Sequence, residues 1–176
     1  MSKVSQEEIY HGRILDLAHE VHQMPDDRQA RFEIVRHPGG AAALPVMDDG
    51  RLMLIRQFRP AAESFIYEVP AGRLEPGEHP GGCVSRELVE EIGFHPEQLE
   101  PLGYVYSSVG FCTEKIYLFV ARNLRPAQIA HEADEYIESL VVSLEEALAM
   151  IADGKITDAK TQIALLRYAL RMKEQQ

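Results

Sequence analysis

Apolar and polar side chains alternate in the first part of the chain, which predicts half-buried strands. In residues 14–24, Leu15, Leu17 and Val21 share one face and polar residues occupy the other. This period of two residues is that of a strand with one face in the core. Residues 31–37 also read as a strand. We therefore expect a largely antiparallel N-terminal half.

Two further apolar runs, residues 41–47 and 52–58, flank the turn sequence Asp48-Asp49-Gly50. Asp-Gly between apolar runs predicts a β-hairpin, because these residues readily adopt the backbone conformations that the turn needs. A shorter strand is expected at residues 65–69. Later apolar stretches predict strands at residues 102–107, 116–121 and 137–142.

The central helix is expected between Pro80 and Gly93. Proline suits an early helical position, and a glycine just past the end accommodates a left-handed cap. Gly81 and Gly82 each cost about 1 kcal/mol relative to alanine inside a helix. We therefore expect the regular helix to begin only near Cys83.

Two more helices are expected in the C-terminal part of the chain. Residues 143–146 read Ser-Leu-Glu-Glu, a capping box that opens a short helix. In the segment from residue 158 to 173, Ile163, Leu166 and Leu170 form one helical stripe, which predicts the buried face. Because no repeat or linker interrupts the chain, we expect one structural unit of the α/β class.

The composition is that of an ordinary globular protein, with 176 residues, 45% hydrophobic and 26% charged. The net charge of −10 argues against broad nucleic-acid binding, because clustered lysine and arginine hold a phosphate backbone. Cys83 and Cys112 lack C-x-x-C spacing, and no apolar run approaches the roughly 18 residues of a membrane span. We expect a cytoplasmic protein with neither nucleic acid nor membrane as a partner.

Three glutamates crowd one side of the central helix. Glu90 and Glu91 follow Glu87 by three and four residues, so at about 3.6 residues per turn the carboxylates are neighbours. Like charges at this spacing repel unless a cation compensates them. Arg86 is one candidate, and bound Mg²⁺ with oxygen ligands is another. A solvated acidic face is the alternative interpretation.

The spacing around these glutamates matches a known motif. Gly72 is followed after five residues by Glu78, and after seven more by Arg-Glu-Leu-Val-Glu-Glu-Ile-Gly-Phe, residues 86–94. This resembles the Nudix box, G-x5-E-x7-R-E-U-x-E-E-x-G-U with U aliphatic or aromatic, at every fixed position. The resemblance implies a Nudix-type α/β/α sandwich with a mixed, largely antiparallel sheet and extra N-terminal strands.

The resemblance also implies hydrolysis of the diphosphate bond of a nucleoside diphosphate linked to another moiety, with Mg²⁺ or Mn²⁺ as cofactor. It makes Glu87 and Glu91 metal ligands, Glu90 an auxiliary ligand and catalytic residue, and the Ala71 carbonyl a main-chain ligand. A charged hydrogen bond between Arg86 and Glu78 would hold the loop to the helix. The motif residues with structural roles are Gly72, Glu78, Arg86 and Gly93.

Similarity to the ADP-ribose pyrophosphatase branch extends from about residue 31 to the C-terminal helix. The stretches that carry it are residues 56–59, 68–72, 108–114, 131–135 and 158–161. In that branch the Q-x-R arginine contacts the diphosphate, here Arg59, and a glutamate after the S-x-G turn binds substrate, here Glu114. Arg56 is a further substrate-binding candidate, but it shares the face of Arg59 only if the strand is irregular. A surface arginine is the equal alternative.

The acidic segment at residues 132–135 lies where the branch supplies a further metal ligand and a general base. Anchoring on Ile137 assigns the metal ligand to Glu135, and Glu132 is the nearest candidate for the base. A carboxylate beside metal ions stays ionised at neutral pH, as a base requires. Both glutamates are therefore catalytic candidates, with an exposed acidic loop as the alternative.

Val109 stands where ADP-ribose hydrolases commonly carry the proline of the S-P-G turn. This departure leaves ADP-ribose, GDP-mannose and other nucleotide sugars open as substrates. Hydrolysis of dinucleotides such as FAD, NADH or diadenosine polyphosphates is a second hypothesis. A Nudix-fold sensor that binds nucleotide sugars without turnover is a third.

In the same branch, N-terminal strands pair across a two-fold axis and the second subunit completes the nucleotide pocket. The resemblance therefore implies a homodimer, with residues 1–40 at the interface and residues 41–176 as the catalytic domain. Arg36 would then be a substrate contact that one subunit supplies to the other.

Overall fold

The computed structural model describes residues 1–128 and 136–174. The chain divides into two compact units. The first unit consists of residues 1–39 and 106–115, and the second of residues 40–105 and 116–176.

The strands are β1 (Ser2–His11), β2 (Asp16–Gln23), β3 (Gln29–Arg36), β4 (Gly40–Pro45), β5 (Leu52–Arg59), β6 (Ser64–Glu68), β7 (Ala71–Arg73), β8 (Phe94–Tyr106), β9 (Lys115–Pro126) and β10 (Ile137–Val142). The helices are α1 (Pro80–Ile92), α2 (Leu144–Ala152) and α3 (Ala159–Glu174). A short 3-10 helix, Pro60–Ala62, follows β5. No helix among the described residues is long and apolar enough to cross a membrane.

The first unit is an antiparallel sheet in the order β1-β2-β3. Strand β1 is exposed along its whole length and carries no apolar alternation, so the sequence pattern did not predict it. On β2 the buried side chains are Ala18 and Glu20, whereas Leu17 and Val21 are only half-buried. The prediction that the Leu17 and Val21 face is the buried one is therefore wrong.

Ion pairs explain why a carboxylate lies on the buried face of β2. Glu20 is 3% exposed and accepts a hydrogen bond from Arg36 on β3. His22 contacts the second oxygen of Glu20 at 2.9 Å, and Lys3 on β1 lies 3.7 Å from the first. These three basic groups offset the cost of burying the charge.

Residues 106–115 complete the first unit along the edge of β3. The Val35 N–H donates to the Phe111 carbonyl at 2.7 Å, and the Thr113 N–H donates to the Val35 carbonyl at 2.9 Å. The hydroxyl of Thr113 also accepts from the His37 N–H at 2.9 Å. A segment distant in sequence thus satisfies backbone groups that would otherwise form an open sheet edge.

The second unit contains two sheets, ordered β10-β5-β6 and β7-β4-β9-β8. Strands β4 and β9 run parallel, while β4 pairs antiparallel with β7 and β5 pairs antiparallel with both β6 and β10. The second of these sheets is therefore mixed.

The expected hairpin between residues 41–47 and 52–58 forms only at its turn. The Met47 N–H donates to the Arg51 carbonyl at 2.8 Å, and a single bridge joins Val46 to Leu52. Beyond this bridge, β4 and β5 enter different sheets. Strand β4 pairs with β7 and β9 instead, and every residue of β4 is buried.

Helices cover both faces of this sheet layer. Ala42 and Leu44 of β4 belong to a core cluster with residues of α2 and α3, including Ala147 and Leu165. The alternate β4 residues, Ala41 and Ala43, belong to a second cluster with Val84 and Leu88 of α1. Alternation along one strand thus separates two cores, and the α/β/α architecture expected from the Nudix box is confirmed.

Helix α1 begins earlier than expected, at Pro80. The ring Nδ1 of His79 accepts a hydrogen bond from the Gly81 N–H at 3.2 Å, which caps the helix despite its two glycines. The expectation that the regular helix starts near Cys83 is therefore wrong. The C-terminal cap is confirmed, since Gly93 has a φ of 71° and its N–H donates to Val89.

The stripe predicted for the last helix is not its buried face. Leu166 and Leu170 are 46% and 61% exposed. The buried side chains of α3 are instead Thr161, Ala164, Leu165 and Tyr168. Both sets have helical spacing, so the apolar pattern left the rotation of the helix open. The capping box predicted for α2 is confirmed at Ser143 and Glu146.

A thiol-specific reagent is expected to modify Cys112 but not Cys83 in the native protein. Burial and the negative charges of Glu78 and Glu87 raise the pKa of the Cys83 thiol to about 12, and the thiolate is the reactive form. Cys112 is only half-buried. Mass spectrometry after iodoacetamide should show one adduct on the native protein and none on native Cys112→Ser. An adduct on native Cys112→Ser would contradict the packing of Cys83.

Candidate active site

The carboxylate of Glu87 lies directly against the main chain of Gly72. A β-carbon placed on Gly72 would come 1.7 Å from Oε1 of Glu87, so a larger residue at this position would displace the carboxylate. Gly72 lies in β7, and Glu87 lies in the middle of α1. Glycine at position 72 therefore allows the helix carboxylate to approach the strand backbone this closely.

Glu91, one helical turn further along α1, meets the neighbouring residue of the same strand. Its carboxylate accepts a hydrogen bond from the Ala71 N–H at 3.1 Å, and the residue is 3% exposed. Glu87 and Glu91 are four residues apart and therefore share a helix face. Together they bring two carboxylates to the peptide segment Ala71-Gly72.

Arg86 offsets the repulsion among the carboxylates of α1. Its Nη1 donates to Glu87 at 2.7 Å and to Glu90 at 2.9 Å. Its Nε and Nη2 donate to Glu78 at 3.2 and 3.3 Å. Burial lowers the pKa of the Arg86 guanidinium, but the hydrogen bonds that Arg86 donates to Glu78 and Glu87 outweigh this and raise it. Arg86 thus ties the loop before α1 to the glutamate face.

Glu78 forms the other end of this tie. Its hydrogen bond with Arg86 holds the pKa of the Glu78 carboxyl below its usual value. The same carboxylate accepts from the Glu75 N–H at 2.9 Å, which closes the turn before the helix. Arg86 also donates to the Arg73 carbonyl at 3.3 Å. These contacts have the geometry expected of residues that hold the loop to the helix.

The donor types at this position fit a hard divalent cation. Carboxylate oxygens of Glu87, Glu90 and Glu91 and the main-chain oxygen of Ala71 are the kinds of ligand that Mg²⁺ prefers. Within residues 1–128 and 136–174, no three His, Cys, Asp or Glu side chains are grouped so that they alone could hold an ion. Arg86 lies among the carboxylates and neutralises them, so a bound cation would compete with its guanidinium.

Arg59 lies in a second charged cluster. Its Nε and Nη2 donate to the two carboxylate oxygens of Glu68 at 2.6 and 2.9 Å, a bidentate arrangement. Lys160 at the start of α3 also donates to Glu68, and its Nζ lies 3.1 Å from Asp158. Glu68, Asp158 and Lys160 were not predicted as site residues, although residues 68–72 and 158–161 are two of the stretches that resemble the family.

The charges of this cluster act together. Burial alone would raise the pKa of the Glu68 carboxyl, but Arg59 and Lys160 hold it below its usual value. The hydrogen bonds to Glu68 raise the pKa of the Arg59 guanidinium, and the charge of Glu91 adds to the effect. The Arg59 cluster and the glutamates of α1 are thus close enough to interact electrostatically.

A pocket of about 440 Å³ opens beside this cluster. It is lined by Arg59, Ala61, Ala62, Ile66, Glu68, Thr157, Asp158 and Lys160. Its wall combines cationic, anionic and small apolar side chains. Such a surface suits a polar ligand that carries both phosphate and hydroxyl groups.

The structure separates Arg56 from Arg59. Strand β5 pairs with β6 in a regular register that includes both arginines, so residues three apart point to opposite faces. Arg56 instead pairs with Glu138 at 3.0 Å and lies over the ring of Phe65 at 4.3 Å. These contacts favour the structural alternative for Arg56, and its role in substrate binding stays a prediction.

The remaining predicted residues of the described chain, Arg36 and Glu114, belong to the first unit. There Arg36 pairs with the buried Glu20. Glu114 lies 3.5 Å from Nδ1 of His37 and is 28% exposed at its side chain. The two catalytic candidates Glu132 and Glu135 lie outside the described residues.

Comparisons with known proteins agree with this geometry. A family model described as the NUDIX domain matches residues 36–163. ADP-ribose pyrophosphatase from Bacillus subtilis (strain 168) is 38% identical over 164 residues, covering 92% of this chain and 89% of the relative. GDP-mannose pyrophosphatase from Yersinia pestis (strain Pestoides F) is 36% identical over 151 residues, covering 81% of this chain and 75% of the relative.

A solved structure shows the same fold. The crystal structure of an ADP compounds hydrolase superposes with a TM-score of 0.86, covering 99% of this chain and 95% of that chain, at 21% identity. The family model covers more than half of the chain, and the relatives align over most of their length. These matches confirm the family and the pyrophosphohydrolase class expected from the glutamate motif. The chain belongs to the Nudix family.

Proposed function

We propose that this protein hydrolyses the diphosphate bond of nucleoside diphosphate sugars, giving a nucleoside monophosphate and a sugar phosphate. The observation that carries the proposal is the packing of Glu87 and Glu91 against the Ala71-Gly72 backbone. This packing collects oxygen donors for divalent cations at one edge of α1. Members of the family use divalent metals, and Mg²⁺ is the ion proposed here, with Mn²⁺ as a substitute.

Both named relatives act on nucleotide sugars, one on ADP-ribose and the other on GDP-mannose. Their identities to this chain, 38% and 36%, are too similar to choose between the two substrates. Val109 in the S-x-G turn also departs from the proline common in ADP-ribose hydrolases. The substrate class is therefore proposed as nucleoside diphosphate sugars, without a single preferred sugar.

The site residues have separate roles in binding the cation and the substrate. Glu87, Glu91 and the Ala71 carbonyl bind the cation, and Glu90 assists them. Bound divalent cations neutralise the diphosphate and lower the pKa of the attacking water. Arg59 binds a diphosphate oxygen with the N–H donors that Glu68 does not occupy, since a guanidinium carries five. Arg86 holds the glutamates in position and does not touch substrate.

Several finer assignments complete the proposal. Glu135 is proposed as a further metal ligand, and either Glu132 or Glu135 as the general base. Arg36 and Glu114 are proposed as substrate contacts in a homodimer. A cytoplasmic location stays a prediction from sequence.

The decisive assay offers ADP-ribose, GDP-mannose and UDP-glucose to the purified protein with Mg²⁺. We expect release of a nucleoside monophosphate from at least one of them, and loss of that activity with EDTA. FAD, NADH and a diadenosine polyphosphate belong in the same panel to test the dinucleotide alternative. Binding of nucleotide sugars without any turnover would favour the sensor alternative, and turnover of dinucleotides alone would replace the proposed substrate class.

Replacing Glu91 by glutamine is expected to lower turnover by several orders of magnitude while the protein stays folded. Glutamine keeps the size and the oxygen that accepts from the Ala71 N–H, but it removes the charge that a divalent cation requires. Steady-state kinetics and circular dichroism measure the two effects. Glu145→Gln, the same change at an exposed position of α2, is the matched control. Near-normal turnover of Glu91→Gln would show that the metal assignment is wrong.

Replacing Arg59 by lysine is expected to raise KM for the nucleotide sugar about tenfold, because lysine cannot keep the fork to Glu68 and contact phosphate as well. Arg56→Lys on the opposite strand face is the matched comparison and should raise KM much less. An equal rise in KM for the two variants would contradict the prediction that only Arg59 contacts the diphosphate. A larger effect at Arg56 would indicate that Arg56, and not Arg59, contacts the phosphate.

A further inference from the structure

Helix α3 contacts the main chain just before the proposed metal site. The Val69 N–H donates to Oγ1 of Thr161 at 2.8 Å. Two residues later along the chain, the Ala71 N–H donates to Glu91 at 3.1 Å. Between them, the Pro70 carbonyl accepts from the Ala43 N–H at 3.0 Å. Three consecutive residues are thus each held by a different element of the second unit.

The Thr161 hydroxyl has a single orientation in this arrangement. The residue is fully buried, and its Oγ1–H donates to the Asp158 carboxylate at 2.6 Å. The Thr161 N–H donates to the same carboxylate oxygen at 2.9 Å. Because the hydroxyl hydrogen is committed to Asp158, its lone pairs face the Val69 N–H. Asp158 therefore aims the acceptor as well as capping α3.

The segment that Thr161 holds carries groups of both charged clusters. It begins at Glu68, which binds Arg59, and it ends at Ala71. Burying a hydroxyl is costly unless it is hydrogen-bonded, and the Thr161 hydroxyl meets this condition by bonding Asp158 and the Val69 N–H. Its specific effect is to fix the peptide plane of Val69. A small main-chain shift there would be transmitted to the Ala71 peptide, where ligand positions must be accurate.

We propose that Thr161 is a positioning residue for the divalent-cation site, acting through the Val69 main chain. This inference rests on the proposed function, because it assumes that Ala71, Glu87 and Glu91 bind the cation. Groups that orient metal ligands from outside the coordination shell affect metal affinity strongly. Thr161 would therefore make cation binding depend on how α3 is seated on the sheet.

The test measures Mn²⁺ affinity by isothermal titration calorimetry on the full-length protein without substrate. Thr161→Val keeps the side-chain shape but removes the acceptor, and it should weaken Mn²⁺ binding about tenfold. Thr161→Ser restores a hydroxyl and should bind Mn²⁺ nearly as tightly as the wild type. Ile156→Val, at a fully buried position of the core cluster that includes Ala164 and Leu165 of α3, is the control for a general loss of stability. Its Tm should fall while its Mn²⁺ affinity stays unchanged.

Each outcome decides the matter. Unchanged Mn²⁺ affinity in folded Thr161→Val would overturn the inference and reduce Thr161 to a packing role, while the proposed function would stand if Glu91→Gln still abolished binding. Weakened binding in Ile156→Val would also overturn it, because the effect would then not be specific to the hydroxyl. If the wild type bound no Mn²⁺, both the proposed cation site and the positioning role of Thr161 would be contradicted. If Thr161→Val does not fold, Thr161→Cys, with a weaker acceptor of similar size, replaces it.

Discussion

The contact between the Glu87 carboxylate and the Gly72 backbone is the constraint on which this structure depends. The contact in this position depends on the missing side chain of Gly72, since a β-carbon there would displace the Glu87 carboxylate. That approach places several acidic side chains at the end of a strand, where their mutual repulsion must be offset. Arg86 provides the compensation by donating to Glu78, Glu87 and Glu90 at once.

The second charged cluster uses the same physical principle on the other side of the segment. Glu68 is buried and would be costly without partners, and it is held by Arg59 and Lys160. Removing both cations would leave the buried charge of Glu68 uncompensated, which is worse than never burying the group. The protein has a net charge of −10, so these local cations are needed to offset its repulsion of an anionic ligand. The favourable field is built locally rather than by the whole surface.

Much of the site could be predicted from sequence because it depends on local spacing. The glutamate face of α1, the cap at Gly93 and the tie between Arg86 and Glu78 all lie within one short stretch. Features that depend on distant partners could not be found in this way. Glu20 is buried because Arg36 reaches it from the next strand, and α3 turns Thr161 inward although Leu166 and Leu170 formed an equally good stripe. The separation of β4 from β5 likewise reflects partners supplied by β7, β9 and β10.

The first unit is built from two separate segments of the chain, and this has a consequence for synthesis on the ribosome. Its sheet is finished by hydrogen bonds between Val35 and the residues Phe111 and Thr113, which emerge much later than β3. Until then the outer edge of β3 keeps its backbone groups unsatisfied, and such an edge can recruit strands from other nascent chains. The N-terminal strands of this protein therefore depend on the rest of the chain being made before they are protected.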